Sequence, residues 1–144
     1  MPILDVNETS GTAILSLYTG NTPITQFTFA NGQVSLAARP NSITLSLDAF
    51  QEQLDAIALW VMLVNDKLSP AATDLEEFMI EVVRDTMEIK AEYKAGSTKL
   101  TEATRANGAN SITFAARPAY TMPWSDFHRW YCFLKMVRRD CAGG

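Results

Sequence analysis

Apolar and polar residues alternate singly along much of this chain, with a few stretches of helical spacing between. Ala13, Leu15 and Leu17 alternate with Ile14, Ser16 and Tyr18, which predicts a strand over 13–19. The leader 1–11 is polar and carries no such pattern. Gly20-Asn21-Thr22-Pro23 reads as a turn, Ile24 to Ala30 as a second strand, and Asn31-Gly32 as a hairpin, because both residues tolerate positive φ. A third strand over 33–39 sets Val34, Leu36 and Ala38 on one face, and Pro40-Asn41 breaks it. A fourth, over 42–47, alternates Ile43, Leu45 and Leu47 with Ser42, Thr44 and Ser46. Asp48 suits a helix N-cap, and a helix follows over 49–67. Its stripe of Phe50, Leu54, Ile57, Ala58 and Val61 is widened by Trp60, Met62, Leu63 and Val64. A helix apolar on most sides is buried on most sides.

Thr73-Asp74-Leu75-Glu76 has the form of a capping box. Leu75, Phe78, Met79, Val82 and Val83 follow at helical spacing, which predicts a surface helix to Asp85. The strand pattern then returns over 87–94, 99–105, 110–117 and 119–123, with Gly96-Ser97 and Asn107-Gly108 as turns. Ser125 caps a last helix over 126–138, with Phe127, Tyr131, Leu134 and Val137 inward, and the tail 140–144 frays.

The second series resembles the first. Ala37-Ala38-Arg39-Pro40 recurs as Ala115-Ala116-Arg117-Pro118, and Ala30-Asn31-Gly32 as Ala106-Asn107-Gly108. Gly20-Asn21-Thr22-Pro23-Ile24-Thr25 answers to Gly96-Ser97-Thr98-Lys99-Leu100-Thr101, and Leu47-Asp48-Ala49-Phe50 to Trp124-Ser125-Asp126-Phe127. The offsets are 78, 76, 76 and 77 residues in turn, as small changes in turn length would give. The expectation is an α+β fold in one domain over 1–144: a tandem duplication of a four-stranded antiparallel sheet plus helix, (ββββα)2. Repeat 1 spans 12–67, a linker helix 68–86, and repeat 2 87–139.

Such a duplication resembles the Whirly and Pur-alpha group of single-stranded nucleic-acid-binding proteins. It also resembles positive cofactor four, which has one such unit per chain and dimerises to the same effect. The resemblance lies in topology and repeat length over nearly the whole chain. It implies binding of single-stranded DNA or RNA along outer sheet faces, without a fixed sequence requirement. The first functional expectation is therefore a single-stranded nucleic-acid-binding protein of a phage or bacterial replication, recombination or transcription system.

Charge alters that picture in one half only. The net charge is −4, against a strongly cationic binder. Residues 1–66 carry −5, 67–86 carry −3 and 87–144 carry +4, counting Lys and Arg against Asp and Glu. If Ile89, Ala91 and Tyr93 face the core, Lys90 and Lys94 face outward. Lys99 and Arg105 share one face of their strand, and Arg117 and Arg39 stand opposite the inward residues of theirs. The candidate nucleic-acid contacts are therefore Lys90, Lys94, Lys99, Arg105, Arg117 and Arg39, with Tyr18 and Phe29 as platforms for stacked bases. Each has a plainer role available. Phe27 and Phe29 suit a core, the lysines suit ion pairs across a solvated sheet face, and the arginines suit strand ends. The alternative function is a protein-interaction or assembly module, such as an oligomeric accessory or phage structural protein. Cations converging beside an exposed aromatic point to nucleic acid; cations paired with acids point to assembly.

No catalytic or metal-binding pattern stands out. His128 and Asp126 lie two apart and do not face each other on a helix. The expectation is a half-buried structural His128 and a small core residue at Cys132, and solvation for the acidic face of Asp74, Glu76, Glu77 and Glu81. Phosphate-loop and nucleophile-elbow strings are missing. A non-enzymatic, cofactor-free, cytoplasmic protein is expected, without a membrane span. The apolar helices predict a homo-oligomer, with Trp60, Met62 or Leu63 near the contact.

Overall fold

Single-residue alternation does build sheets here, two of them, and each half of the chain contributes to both. The computed structural model describes residues 3–37, 40–71, 78–115 and 118–142. The first half runs β1 (Ile3–Asn7), β2 (Thr12–Thr19), β3 (Thr22–Ala30), β4 (Gln33–Ala37), β5 (Ser42–Ser46) and α1 (Leu47–Leu68). The second runs β6 (Phe78–Arg84), β7 (Glu88–Ala95), β8 (Thr98–Ala106), β9 (Ser111–Ala115), β10 (Tyr120–Pro123) and α2 (Trp124–Ala142). The fold is α+β, with two antiparallel five-stranded sheets ordered β1-β2-β3-β4-β10 and β5-β9-β8-β7-β6.

Each half therefore carries five strands before its helix, where four were expected. The added strands are β1 and β6. Leu4 and Val6 of β1 turn toward the core, and the Asn7–Gly11 turn returns the chain to β2, with the Gly11 N–H donating to the Asn7 carbonyl at 2.9 Å. The expected linker helix is corrected over 78–84, which form β6 against β7; the capping-box residues lie outside the described residues. Phe78, Ile80 and Val82 also alternate, and the β-branched Ile80, Val82 and Val83 favour a pleated neighbour over an isolated helical turn.

The last strand of each half leaves its own sheet. β5 pairs with β9, Leu45 opposite Ile112, and β10 pairs with β4, Met122 opposite Val34. These crossings lock the halves together. Both helices cover the inner sheet faces. The core gathers Leu15, Phe27, Val34, Trp60, Tyr93, Ile112, Met122, Phe127 and Phe133. Ser46, not Asp48, caps α1, since its Oγ accepts from the Ala49 N–H at 3.1 Å. α2 begins at Trp124, whose N–H donates to the Gly32 carbonyl at 2.9 Å. Asn31-Gly32 makes the β3–β4 hairpin turn with φ of 54° and 77°.

Matching bulges interrupt the two halves. Leu17 pairs with Thr25 but Tyr18 with Pro23, leaving Ile24 as the extra residue. Tyr93 pairs with Thr101 but Lys94 with Lys99, leaving Leu100 extra. An extra residue reverses which face the following side chains take.

Candidate functional site

The bulge at Leu100 decides where the expected cations go. Before it, Lys99 lies on the outer face of the second sheet; after it, Thr101, Ala103 and Arg105 turn inward. Arg105 is thus corrected as an outward contact. It is 6% exposed, and its Nε donates to the Ala109 carbonyl at 2.8 Å. Phe29 is corrected as a platform too. It lies in the core, its ring edge-on to Trp124 with centroids 5.4 Å apart. Tyr18 is half-buried beside a groove that reaches Glu52 and Gln53 of α1. Arg39 and Arg117 lie outside the described residues.

Lys90, Lys94 and Lys99 do converge, but on two carboxylates. Lys90 Nζ lies 3.0 Å from Glu102 and 3.9 Å from Glu92. Lys99 Nζ lies 3.0 Å from Glu92 and 2.9 Å from Glu102, and Lys94 Nζ lies 3.5 Å from Glu92. The lattice follows from sheet register, because Glu92 and Glu102 stand directly opposite each other and the lysines fill the flanking positions. Like charges facing across strands are unfavourable, and the shared ammonium groups offset that. Glu81 of β6 stands opposite Glu92, so three lysines and three carboxylates share this face.

Hydrogen bonds from Lys99 hold both glutamates below their ordinary value of 4.5, and Lys90 adds to the effect at Glu102. Pairing with Glu102 raises Lys90 and Lys99 above 10.5. A carboxyl lowered in the folded state contributes stability that is present above pH 4.5 and is lost as pH falls through the folded value. The urea midpoint of the wild type is expected to fall between about pH 6 and pH 3. The double variant Glu92→Gln, Glu102→Gln is expected to fall less, because it lacks the two titrating groups. An equal fall in both proteins would contradict this role.

A second group of cations lies on α2. Lys135, Arg138 and Arg139 border an open groove of about 420 Å³ between the helices, with Gln51, Asp55 and Tyr131. Lys135 Nζ sits 5.0 Å from the centroid of the Tyr131 ring, and Asp55 already accepts from Gln51 at 3.0 Å. His128 is exposed and not half-buried; Cys132 is half-buried and not a core residue, with its Sγ 4.0 Å from His128 Nδ1. Among the described residues no three His, Cys, Asp or Glu side chains group as a metal site. A half-open apolar pocket of about 70 Å³ lies among Phe27, Leu36, Phe50, Ile57, Leu100 and Trp130. That is well below the ~150 Å³ that holds a benzene ring.

The feature missed in the sequence is the edge formed by β6. Of its seven residues, Met79, Ile80, Val82 and Val83 are exposed apolar side chains, on both faces of the strand. No strand pairs with its far side among the described residues. The other three edges are blunted. β10 has four residues and ends in proline, β5 has Ser42, Thr44 and Ser46 on one face, and β1 is five residues long and carries Asp5. The Asp85 N–H donates to the Glu88 carbonyl at 3.1 Å, which fixes the hydrogen-bonding phase of the hairpin. Carrying that alternation back along the β6–β7 register points the backbone of Met79, Glu81 and Val83 toward β7. The N–H and C=O groups of Ile80 and Val82 point to the open edge. The signal available in the sequence was the double reading of 78–83, whose spacing serves a helix and whose alternation serves a strand.

No family model, curated protein or solved structure matches this chain. No helix among the described residues is long and apolar enough to cross a membrane.

Proposed function

We propose that this chain is a non-enzymatic assembly module that docks a β-strand on its β6 edge. The observation that carries this is a seven-residue strand, apolar on both faces, with its outer edge open. Open edges of this kind add strands from other chains: main-chain hydrogen bonds supply affinity, and alternate side chains supply specificity. The pairing of Lys90, Lys94 and Lys99 with acids supports assembly over phosphate binding on the second sheet. A tandem duplication of Whirly or Pur-alpha type belongs to the same proposal. Its support is the repeated Ala-Ala-Arg-Pro string and the matching bulges at Ile24 and Leu100.

Single-stranded nucleic-acid binding is a second proposal, and a different surface favours it. Lys135, Arg138 and Arg139 along the helix groove face a single carboxylate among the described residues, Asp55. Fluorescence anisotropy with two probes separates the proposals. One probe is a labelled peptide copying 78–84, flanked by lysines for solubility; the other is a ~30-nucleotide single strand at low and moderate salt. Strand docking predicts that the peptide binds and that Val82→Lys abolishes its binding. Steeply salt-sensitive oligonucleotide binding, weakened by Lys135→Ala and Arg139→Ala, with no peptide uptake, would replace assembly with nucleic-acid binding.

A further inference from the structure

We infer that the occupant of the β6 edge is the β6 strand of a second copy, antiparallel about a twofold axis through Ile80. This rests on the strand-docking proposal and names its partner.

Geometry restricts the choice. A twofold that makes one continuous antiparallel sheet runs perpendicular to that sheet and keeps each face on its own side. Facing residues must share a face, so their numbers sum to an even value and the axis passes through a residue position. Within β6 this leaves Ile80, Glu81 and Val82 as practical axis residues.

An axis at Glu81 sets two carboxylates opposite each other at a close, non-hydrogen-bonded position. Glu92 of β7 already stands opposite Glu81 on the other side, and Glu102 of β8 opposite Glu92, so six carboxylates would line up across the new sheet, three from each copy. An axis at Val82 sets Ile80 against Arg84 and runs the pairing into the Asp85–Glu88 turn. An axis at Ile80 sets Ile80 against Ile80 of the second copy and Phe78 against Val82, and places Glu81 opposite Met79. It leaves Arg84 outside these pairs.

The inner face agrees with that choice. Phe78 stacks on Tyr93 with centroids 4.9 Å apart, so its ring is already held. Ile80 and Val82 border a mostly apolar pocket with Ile89, Phe133, Met136 and Val137, in which Arg105 is the one charged residue. Ile80 and Val82 are each 43% exposed and Met136 is 45% exposed. A second copy in this register covers Ile80 with its own exposed Ile80 and covers Val82 with its half-buried Phe78. The edge groups of Ile80 and Val82 gain partners in the same step. A partner of another sequence would need an open edge, apolar residues on both faces and no acid opposite Glu81. This chain supplies all three.

The test uses the full chain with Cys132→Ser and Cys141→Ser as background. Light scattering should give twice the 15.9 kDa chain mass for the wild type. It should give the single mass for Val82→Lys, with unchanged far-UV circular dichroism. Under mild oxidation Ile80→Cys should form an intermolecular disulfide. Facing α-carbons in a hydrogen-bonded pair lie about 5.5 Å apart, within the disulfide range. Val82→Cys should not, since the two copies of that position lie about 13 Å apart along the strands. A Val82→Cys disulfide without an Ile80→Cys disulfide would overturn the register. A monomeric wild type that still takes up the 78–84 peptide would overturn the second copy as occupant while strand docking stands. A monomer that takes up no peptide would overturn both.

Discussion

Replacing Trp60 with alanine is expected to remove most of the stability of this fold. Trp60 is fully buried at the meeting point of the two halves. Its ring lies 6.2 Å from Phe27 of the first sheet, 6.0 Å from Trp124 and 5.6 Å from Phe127, the last two on α2. Truncation leaves a cavity walled by rigid rings, which collapse poorly, and such changes cost about 3–5 kcal/mol. A domain of this size has only about 5–15 kcal/mol in total. The indole Nε1 has no hydrogen-bond partner among the described residues, so the ring contributes through packing. Trp60→Phe keeps an aromatic ring and discards that buried donor, and it is expected to cost much less than alanine. Urea unfolding of the two variants reads the difference. Equal losses in both would show that the ring contacts do not carry the stability.

Neither half of the chain is expected to fold alone as a monomer. Residues 1–71 without 72–144 leave β4 without β10 and β5 without β9. They also uncover Phe27, whose ring meets Phe127 and Trp130 edge-on at 5.5 Å each. Every strand crossing and most of the aromatic core join the halves, so the smallest cooperative unit spans both. Each fragment should lack a cooperative urea transition by circular dichroism, and mixing the two should restore one. A cooperative monomeric transition for 1–71 alone would contradict this coupling.

The strands and helices that carry the core were readable because their patterns have one interpretation. Leu15 and Leu17 alternate with polar neighbours, Asn31-Gly32 and Asn107-Gly108 mark hairpins, and the apolar surround of Trp60 requires burial. What escaped the sequence was set by pairing across distance. β5 and β10 read as fourth strands, but nothing local says that each joins the opposite sheet. The outward placement of Arg105 failed because face was counted by parity from Lys99, and the bulge at Leu100 reverses parity between them. Phe78, Met79, Val82 and Val83 satisfy helical spacing, so the local pattern favours helix over β6; the neighbouring edge of β7 decides otherwise. The apolar surround of α1 points to Trp60, Met62 or Leu63 as the residues near an oligomer contact. Trp60 is buried inside the chain, and the exposed large apolar residues lie on β6, on α1 at Leu59 and Met62, and at Ile3, Met87 and Met136.

Strand docking at β6 is tested most directly by hydrogen exchange of individual β6 amides at low and high protein concentration. The N–H groups of Glu81 and Val83 point to β7 and should be protected at both concentrations. Those of Ile80 and Val82 point to the open edge and should exchange freely when dilute and become protected when concentrated. Rapid exchange of Ile80 and Val82 at every concentration, with Glu81 and Val83 protected throughout, would contradict assembly of this chain through its edge strand.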